Sequence, residues 1–442
     1  MHTRFQYYWQ QLRESLWFVP SLMVLFAFGL AYGLIAFDTR TSFDGSKRLP
    51  LLFGAGAEGS RSMLTAIAGS MLTVAALVFS LTLSTISQVS SQYSPRVLRN
   101  FMQDRNNQVV MGYFVGVFTY SLIVLGTIRG TEEQKFVPST AVLMGLILAL
   151  GGVVALIFFI HHIAKSLQTG TIVQHISQET LKAIDEMFPC GLGEPVDVLE
   201  QEKGWRQAEA LPGWQQVLSK QSGYVQSIDS NGLLRWAVNN GALLRVEQPI
   251  GAFVGEKGYL FSVRPDGKNP NFSLSDRLSK LTDRMVIGRN RSIEQDVAFG
   301  IQQLVDIALK ALSPGINDTT TAIMAVDYLA VIGQRLAGRT FPPRLRSDGQ
   351  HPRIMVQVMD FDGYMRLAFD LIRINAKGNH ALFRRLLRAL ALIASAVRST
   401  NRKQVIREQA CLIMEYAGQT LATEYEKQGV QSLYDELEKN WC

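Results

Sequence analysis

The sequence predicts a membrane protein in two structural parts, and three patterns of apolar residues support this prediction. The first third of the 442-residue chain contains four apolar runs, each long enough for the roughly 20 residues that a transmembrane helix needs. A central stretch alternates short β-branched and aromatic runs with glycine turns, and the remainder repeats apolar residues at helical spacing. We therefore expect four transmembrane α-helices, followed by a cytoplasmic α+β region with a small antiparallel β barrel-sandwich-like domain and then a helical domain.

The same patterns place the domain boundaries. Residues 1–162 are expected to form the transmembrane domain and residues 163–190 a helical extension of the fourth span. Residues 191–270 are expected to form the β-rich domain and residues 271–442 the mainly helical domain. The pooled hydrophobic fraction of 47% is that of an ordinary globular protein, so only its uneven distribution along the chain shows the division.

The four predicted spans contain no Asp, Glu, Lys or Arg. They run from Leu16 to Phe37, Met63 to Ile86, Val109 to Ile128 and Val137 to Ile160. The first run lacks a small-residue cleavage pattern after it, so we interpret it as a retained span. An interfacial aromatic belt is expected beside it, formed by Tyr7, Tyr8, Trp9 and Trp17. Burial inside a soluble protein is the weaker interpretation, because four such runs in succession rarely come from a globular core.

Cysteine usage indicates the orientation better than the basic residues do. Lysines and arginines are nearly balanced between the two sides, so the positive-inside rule does not decide. Cys190, Cys411 and Cys442 are far apart and in no metal or redox spacing, which suits a reducing compartment. We expect both termini in the cytoplasm. The net charge of +7 fits a nearby anionic leaflet and gives no reason to expect nucleic acid as a partner.

Two glycine-rich segments look like cofactor motifs but lack the required context. Gly54, Gly56 and Gly59 match G-x-G-x-x-G, yet a membrane span follows them, so no dinucleotide site is expected. The stretch from Ser222 to Val263, with SNG, NNG and GEKG as predicted turns, resembles the barrel-sandwich modules of biotinyl and lipoyl carriers. It lacks their Lys between two Met residues, so no swinging arm and no cofactor are expected.

The second span carries a continuous stripe of small and mostly hydroxylic residues at helical spacing. Its members are Gly69, Thr73, Ala76, Ser80, Ser84, Ser87 and Ser91. Such a stripe suits close packing between helices, where a hydroxyl contact contributes about 0.6 to 2 kcal/mol. It equally suits a water-filled path whose hydroxyls replace part of an ion's hydration shell. The two uses are compatible when the packing is between copies of the same chain. Because the spans lack ionisable residues, the pattern favours a channel over a pump.

A group of polar residues follows the fourth span. His161, Lys165, Gln168 and His175 share one helical face, but the histidines do not have the i, i+4 spacing of a zinc site. A solvated face or a headgroup contact is favoured, and no metal is expected. A pH-sensing role stays open, because imidazole titrates near physiological pH.

The segment ALSPGINDTTTA, Ala311 to Ala322, lies between two helical runs. The predicted turn consists of Ser313, Pro314, Gly315, Ile316, Asn317 and Asp318. Pro and Gly end the first helix, and Asn317 or Asp318 is expected to cap the second, which makes an αα-hairpin. A structural turn is favoured over docking or ligand contact. Catalysis is disfavoured, because Ser313 has no G-x-S-x-G context and neither helix contains a histidine.

Two blocks of the sequence resemble a known family. VFSLTLSTISQVSSQYSPRVLRNFMQDRNNQVVMG, Val78 to Gly112, and QDVAFGIQQLVDIALKALSPGIND, Gln295 to Asp318, look like the bacterial predicted-membrane-protein family whose shared domain has unknown function. The resemblance covers nearly the whole chain, although Thr319 stands where the family commonly has proline. It implies a multi-pass inner-membrane protein with four spans and a large cytoplasmic region. It implies no activity.

Two functional hypotheses follow from the residues. The first is a homo-oligomeric channel or passive transport protein for ions or small solutes, with the second span along the pathway. The second is a membrane-anchored cytoplasmic scaffold or sensor that binds a protein or a small anion and transports nothing. An enzyme is not expected, because no acid, base, nucleophile and metal constellation is present. The expected partners are membrane lipid and further copies of the chain.

Overall fold

The computed structural model describes most of the chain in two compact units. The described residues are 15, 17–41, 56–92, 104–131, 134–166, 168–188, 207, 210, 212–265, 281–342, 344–347 and 352–441. The membrane unit comprises Tyr8–Gln168, and the second unit contains Thr169–Cys442. Among the sites predicted above, Tyr7, Tyr8, Trp9, Gly54, Cys190 and Cys442 lie outside the described residues.

The membrane unit contains four helices that are long and apolar enough to cross a membrane, which confirms the predicted helical N-terminal part. The helices are α1 (Phe18–Thr41), α2 (Gly56–Gln92), α3 (Arg105–Thr127) and α4 (Ser139–Ser166). A short antiparallel hairpin, β1 (Arg129–Thr131) and β2 (Gln134–Phe136), joins α3 to α4. With 37 residues, α2 is about 55 Å long, nearly twice the roughly 30 Å of a hydrocarbon core.

Helix α3 is the centre of the membrane unit and packs against the other three helices. Gly112 and Gly116 form a G-x-x-x-G surface on α3, where an added Cβ at Gly112 would lie 2.9 Å from the Cα of Pro20. Small residues at this spacing let helix backbones approach closely. Tyr120, fully buried on the same helix, donates a hydrogen bond to the carbonyl of Ala141 on α4. These contacts fix α1 and α4 against α3.

The helix after the fourth span is separate from it. We expected one continuous helix from the membrane to Phe188, but α4 ends at Ser166 and α5 (Thr169–Met187) begins three residues later. The new helix starts at Thr169-Gly170-Thr171, residues that suit a helix end better than a helix interior. Helix α5 stops at Met187, inside the expected range of 163–190. Helix α5 packs against helices of the second unit.

The β-rich region is an open arrangement of two sheets and contains a helix. It consists of β3 (Gln215–Leu218), β4 (Gly223–Ile228), α6 (Ser230–Asn239), β5 (Ala242–Val246), β6 (Phe253–Val254), β7 (Tyr259–Pro265), β8 (Met285–Gly288), β9 (Leu345–Ser347) and β10 (Pro352–Met355). The five-stranded sheet has the order β3-β7-β5-β10-β9, and the three-stranded sheet has the order β6-β4-β8. One buried core, including Leu244, Val254 and Phe261, lies within this region.

The prediction of a small, wholly antiparallel barrel-sandwich-like domain was therefore wrong in detail. The described strands form no closed barrel, and β10 pairs with β5 in parallel. The SNG segment begins α6 instead of forming a hairpin turn, because Asp229 caps it by accepting a hydrogen bond from the Gly232 N–H. The other Asp229 oxygen binds Arg284 at 2.6 Å. The NNG and GEKG segments do reverse the chain, with Gly241 at φ 55° and Lys257 at φ 63°.

The rest of the second unit is helical. It comprises α7 (Val297–Ala311), α8 (Thr319–Ala337), α9 (Phe361–Asn375), α10 (His380–Ala394), α11 (Thr400–Thr420) and α12 (Glu424–Trp441). Helix α5 packs on both α7 and α8, and an added Cβ at Gly300 of α7 would overlap the Thr180 side chain of α5. The segment between α8 and α9 contains β9 and β10, and β10 finds its partner strand β5 more than 100 residues earlier in the chain.

Candidate functional site

Helix α2 has two faces of different composition. Its buried face is mainly apolar and packs against α3 and α4; it is formed by Leu64, Ile67, Ala68, Met71, Ala75, Val78 and Val89, together with Thr82 and Thr85. The predicted stripe lies on the other side of the helix, where Gly69, Thr73, Ala76, Ser80, Ser84 and Ser87 are all exposed. Ser91 belongs to the last turn, and its side chain lies outside the described residues. These six residues therefore take no part in packing against the described residues of the membrane unit.

The exposed faces of the neighbouring helices are bulky and apolar. On α1 the exposed residues include Leu25 at 69%, Phe26 at 72% and Tyr32 at 71%. On α4 they include Leu150 at 62%, Val154 at 67% and Ile157 at 66%. Such faces suit lipid tails, which offer no hydrogen bonds. The stripe on α2 differs from them, although Leu72, Phe79 and Leu83 flank it with exposures of 49–51%.

The hydroxyls of the stripe are only partly satisfied. Thr73 donates to the carbonyl of Gly69 at 2.9 Å, one turn earlier in the same helix, and such a bond removes most of the cost of placing a hydroxyl in lipid. Ser80, Ser84 and Ser87 make no hydrogen bond to any group in the described part of the chain. Their hydroxyls are available to water, to a solute or to another helix.

Close packing of small residues within the unit occurs elsewhere. Gly112 and Gly116 of α3 admit α1, and Met23 of α1 lies over both glycines. Cβ atoms added at Gly152 and Gly145 of α4 would touch Met71 and Leu64 of α2, at 3.2 and 3.1 Å. By contrast, nothing lies within 4 Å of a Cβ added at Gly69. The stripe is thus a small-residue surface without a partner in the described membrane unit.

Two carboxylates tie the ends of the spans together, and the sequence analysis missed both. Asp38 of α1 is 5% exposed and accepts hydrogen bonds from the Thr140 and Ala141 N–H groups and the Thr140 hydroxyl at the start of α4. Asp104 caps α3 and contacts His162 Nε2 of α4 at 2.6 Å. Both acids lie just outside an apolar run, next to the start of a helix. This position was the available signal in the sequence, because helix N-termini bind negative charge.

The polar residues after the fourth span do not act as one cluster. His162, whose ring stacks on Phe158, is the histidine that contacts Asp104, whereas His161 is exposed. His175 lies in the second unit, 3.8 Å from Glu179. Burial raises the pKa of Glu179, and the charge of His175 opposes that shift. Among the described residues no group of three or more His, Cys, Asp or Glu side chains could hold a metal ion.

The predicted turn connects α7 to α8 and forms an αα-hairpin. Ser313 donates its hydroxyl to the Lys310 carbonyl at 2.7 Å, and its own carbonyl accepts from the Ile316 and Asn317 N–H groups. Asn317 has φ 50°, a left-handed conformation that Asn tolerates better than most residues. The Asp318 N–H then reaches back to the Ala311 carbonyl at 2.8 Å. Ser313 and the first Asx residue thus have structural roles in the turn.

Asp318 is the cap of α8. Its Oδ1 accepts from the Thr321 N–H at 3.0 Å, and its Oδ2 accepts from the Thr321 hydroxyl at 2.6 Å. The hydroxyl bond and then the backbone bonds hold the pKa of Asp318 below its usual range. Beside it, Asn379, the cap of α10, donates to the Thr319 hydroxyl at 2.8 Å. The tip of the hairpin is exposed at Pro314, Gly315, Ile316 and Asn317. The bonds given above account for the turn, so the exposed tip is not needed to form it.

Comparison with known proteins agrees with the four apolar helices. A family model described as "Predicted membrane protein (DUF2254)" matches residues 13–392. Uncharacterized proteins of Mycobacterium tuberculosis (strain CDC 1551 / Oshkosh) and Mycobacterium bovis are each 30% identical over 422 residues. Each match covers 94% of this chain and 78% of the relative. No solved structure matches. The chain therefore belongs to the predicted membrane protein family DUF2254.

Proposed function

We propose that this protein is a homo-oligomeric channel or passive transport protein for ions or small solutes. In this proposal the exposed stripe of α2 borders the pathway, and the copies meet along the same helix. One observation carries the proposal: six small, mostly hydroxylic residues are exposed on α2, whereas the exposed faces of α1 and α4 are bulky and apolar.

The physical argument concerns what can cover the stripe. Lipid tails cannot satisfy the hydroxyls of Ser80, Ser84 and Ser87, and unsatisfied polar groups are costly in hydrocarbon. Water or a second α2 can satisfy them, and small side chains allow a second helix to approach. Several copies of α2 around an axis would provide both conditions, with close packing at the edges of the stripe and hydration along its centre.

The chemistry of the spans supports passive movement. Between Ser62 and Gln92 helix α2 has no ionisable residue, so the proposed pathway contains no group that could carry a proton or pair with a driving ion. The proposal is also non-enzymatic, and it places the protein in the bacterial inner membrane with both termini in the cytoplasm. Lipid, solute and further copies of the chain are its proposed partners.

The test is solute flux in liposomes that contain the purified protein. We expect the wild type to release a small trapped solute, and we expect Ser84→Leu with Ser87→Leu to abolish release, because two bulky apolar side chains would fill the path. Ser70→Leu is the matched control: Ser70 is exposed on the same helix, lies off the stripe and bonds to its own helix at Ala66.

A second candidate is the membrane-anchored scaffold or sensor. The exposed hairpin tip favours it, because Ile316 presents an apolar side chain at 44% exposure that the turn does not need. The two candidates differ in the same experiment. The scaffold is the better account if wild-type liposomes release no solute under voltage, osmotic or tension challenge. In that case the Leu variants should bind a protein or a small anion through the second unit as well as the wild type does.

A further inference from the structure

The two sheets of the second unit share a bent two-stranded ribbon. Strand β3 pairs with β7 in one sheet, and β4 pairs with β6 in the other. The connections 219–222 and 255–258 run side by side between them, held by the Ser219 N–H to the Gly258 carbonyl and the Lys257 N–H to the Ser219 carbonyl. The Glu256 N–H adds a bond to the Ser222 hydroxyl at 2.8 Å. The bend is therefore a well-fixed corner.

Apolar side chains project from the outer side of this ribbon. Leu218 and Tyr259 are register partners in one sheet and are 43% and 49% exposed. Phe253 is the register partner of Tyr224 in the other sheet, and their rings meet edge to face at 5.2 Å. Phe253 is 60% exposed. The inward residues of the same strands, Val217, Val225, Val254 and Phe261, lie in the buried core, so the outer row is not needed for the core.

Two lysines stand at the bend between the two apolar pairs. Lys220 and Lys257 are exposed, and the ammonium group of neither has an ion-pair or hydrogen-bond partner among the described residues. Lys257 has φ 63°, so its place in the turn is fixed by the backbone. Glu256 is the acid in these connections and is also exposed. The corner thus combines two basic groups, one acid and a row of aromatic and aliphatic side chains.

We propose that this ribbon corner, defined as Leu218, Lys220, Phe253, Lys257 and Tyr259, docks on the anionic lipid surface of the bilayer that the four helices cross. Aromatic rings at headgroup level and lysines near anionic lipid are the side chains that bind such a surface. The second unit begins at Thr169, three residues after α4 ends at Ser166, so the bilayer is the large surface always within its reach.

A spin label at the corner tests this inference in the full-length protein. Gly255→Cys is a suitable label site, because nothing lies within 4 Å of an added Cβ there, and Gly418→Cys is equally open on α11 and serves as the control. Both are made with Cys190, Cys411 and Cys442 replaced by Ser. Collision with a water-soluble nickel complex is measured in detergent, in phosphatidylcholine liposomes and in phosphatidylcholine liposomes with added phosphatidylglycerol.

We expect nickel accessibility at position 255 to fall several-fold only in the anionic liposomes, while the label at position 418 changes little. Lys220→Gln with Lys257→Gln should lower the docked-to-free ratio by about thirtyfold, and Phe253→Ser should also restore accessibility. Equal accessibility in the three environments would overturn the proposal. Protection that is already present in detergent would also overturn it, because it would indicate a protein contact. Neither result depends on whether α2 conducts solute.

Discussion

At the scale of single residues, Ser313, Asn317 and Asp318 hold the turn between α7 and α8. Asp318 was one of two expected caps, and it caps α8. Ser313 had no predicted role, yet its hydroxyl and carbonyl close the end of α7. The left-handed backbone of Asn317 then brings the Asp318 N–H back to the Ala311 carbonyl, and residue type alone does not specify that conformation. Ile316 is exposed, and the turn does not explain its identity.

Removing the Asp318 cap should destabilise the second unit. We expect Asp318→Ala to lower the unfolding free energy by about 1 kcal/mol, measured by chemical denaturation. Asp318→Asn should lose less, because Asn is also a good cap. The folded pKa of Asp318 is depressed by its Thr321 bonds, so its contribution is present above the unfolded pKa and is lost as pH falls through the folded value. The difference in stability between the wild type and Asp318→Ala should therefore begin to shrink below about pH 4 and close only once the pH is below the folded pKa. A difference that does not shrink in acid would contradict this account.

Gly251 is a second position where adding a single Cβ atom is expected to destabilise the protein. Its φ is 83°, and an added Cβ would lie 2.7 Å from Arg291 Nη2 and overlap Asp296. Those two residues form an ion pair at 2.7 Å, and Asp296 caps α7. We expect Gly251→Ala to cost about 2 kcal/mol or more, measured as a lower unfolding temperature. Gly255→Ala in the same Gly-Ala-Phe-Val-Gly segment is the control, since its surroundings are open.

At the scale of elements, local patterns predicted the long helices well and long-range pairing poorly. Helical periodicity identified four spans and both helices of the hairpin. It did not find β10, because that strand is specified by its partner β5 and not by its own residues. It also did not separate α6 from a turn, since Ser-Asn-Gly suits either structure and the choice depends on the Asp229 and Arg284 contacts. A one-chain pattern contains no information on such distant partners.

Arg402 shows how a distant residue completes an element. It donates to the carbonyls of Leu336, Ala337 and Arg339 at the end of α8, and its guanidinium stacks over Phe341 and Phe361. Burial lowers the pKa of Arg402. We expect Arg402→Lys to destabilise the protein by about 2 kcal/mol, because an ammonium cannot reach three carbonyls and two rings. Gln404→Ala, at an exposed position two residues later on the opposite side of α11, should have little effect in the same denaturation curves.

At the scale of the whole molecule, composition predicted a membrane unit and a second unit, and the structure has both. The sequence also gave the positions of the stripe. It could not show that the stripe faces outward, because helical periodicity says which residues share a face but not which face is packed. The stripe is exposed in a single chain, and this exposure indicates contact with another molecule.

The assembly itself is the first expectation at this scale. If copies meet along α2, the purified protein should have a mass of several chains in mild detergent, measured by light scattering with the detergent subtracted. Ala76→Phe should shift the mass toward one chain, because a bulky ring prevents close approach of small residues. Leu81→Phe, on the same helix, 38% exposed and off the stripe, is the comparison. A monomeric wild type would exclude the assembled pathway.

The most direct measurement of the central claim is water access to the stripe in the bilayer. A single cysteine is placed at Ser80, Ser84 or, as the lipid-facing control, Val154 of α4, which is 67% exposed, with the native cysteines replaced by Ser. Reaction with a water-soluble thiosulfonate is then timed in liposomes. Thiolates react and form in water but not in lipid, so we predict fast labelling at Ser80→Cys and Ser84→Cys and slow labelling at Val154→Cys. Stripe cysteines as unreactive as Val154→Cys would contradict the proposed pathway.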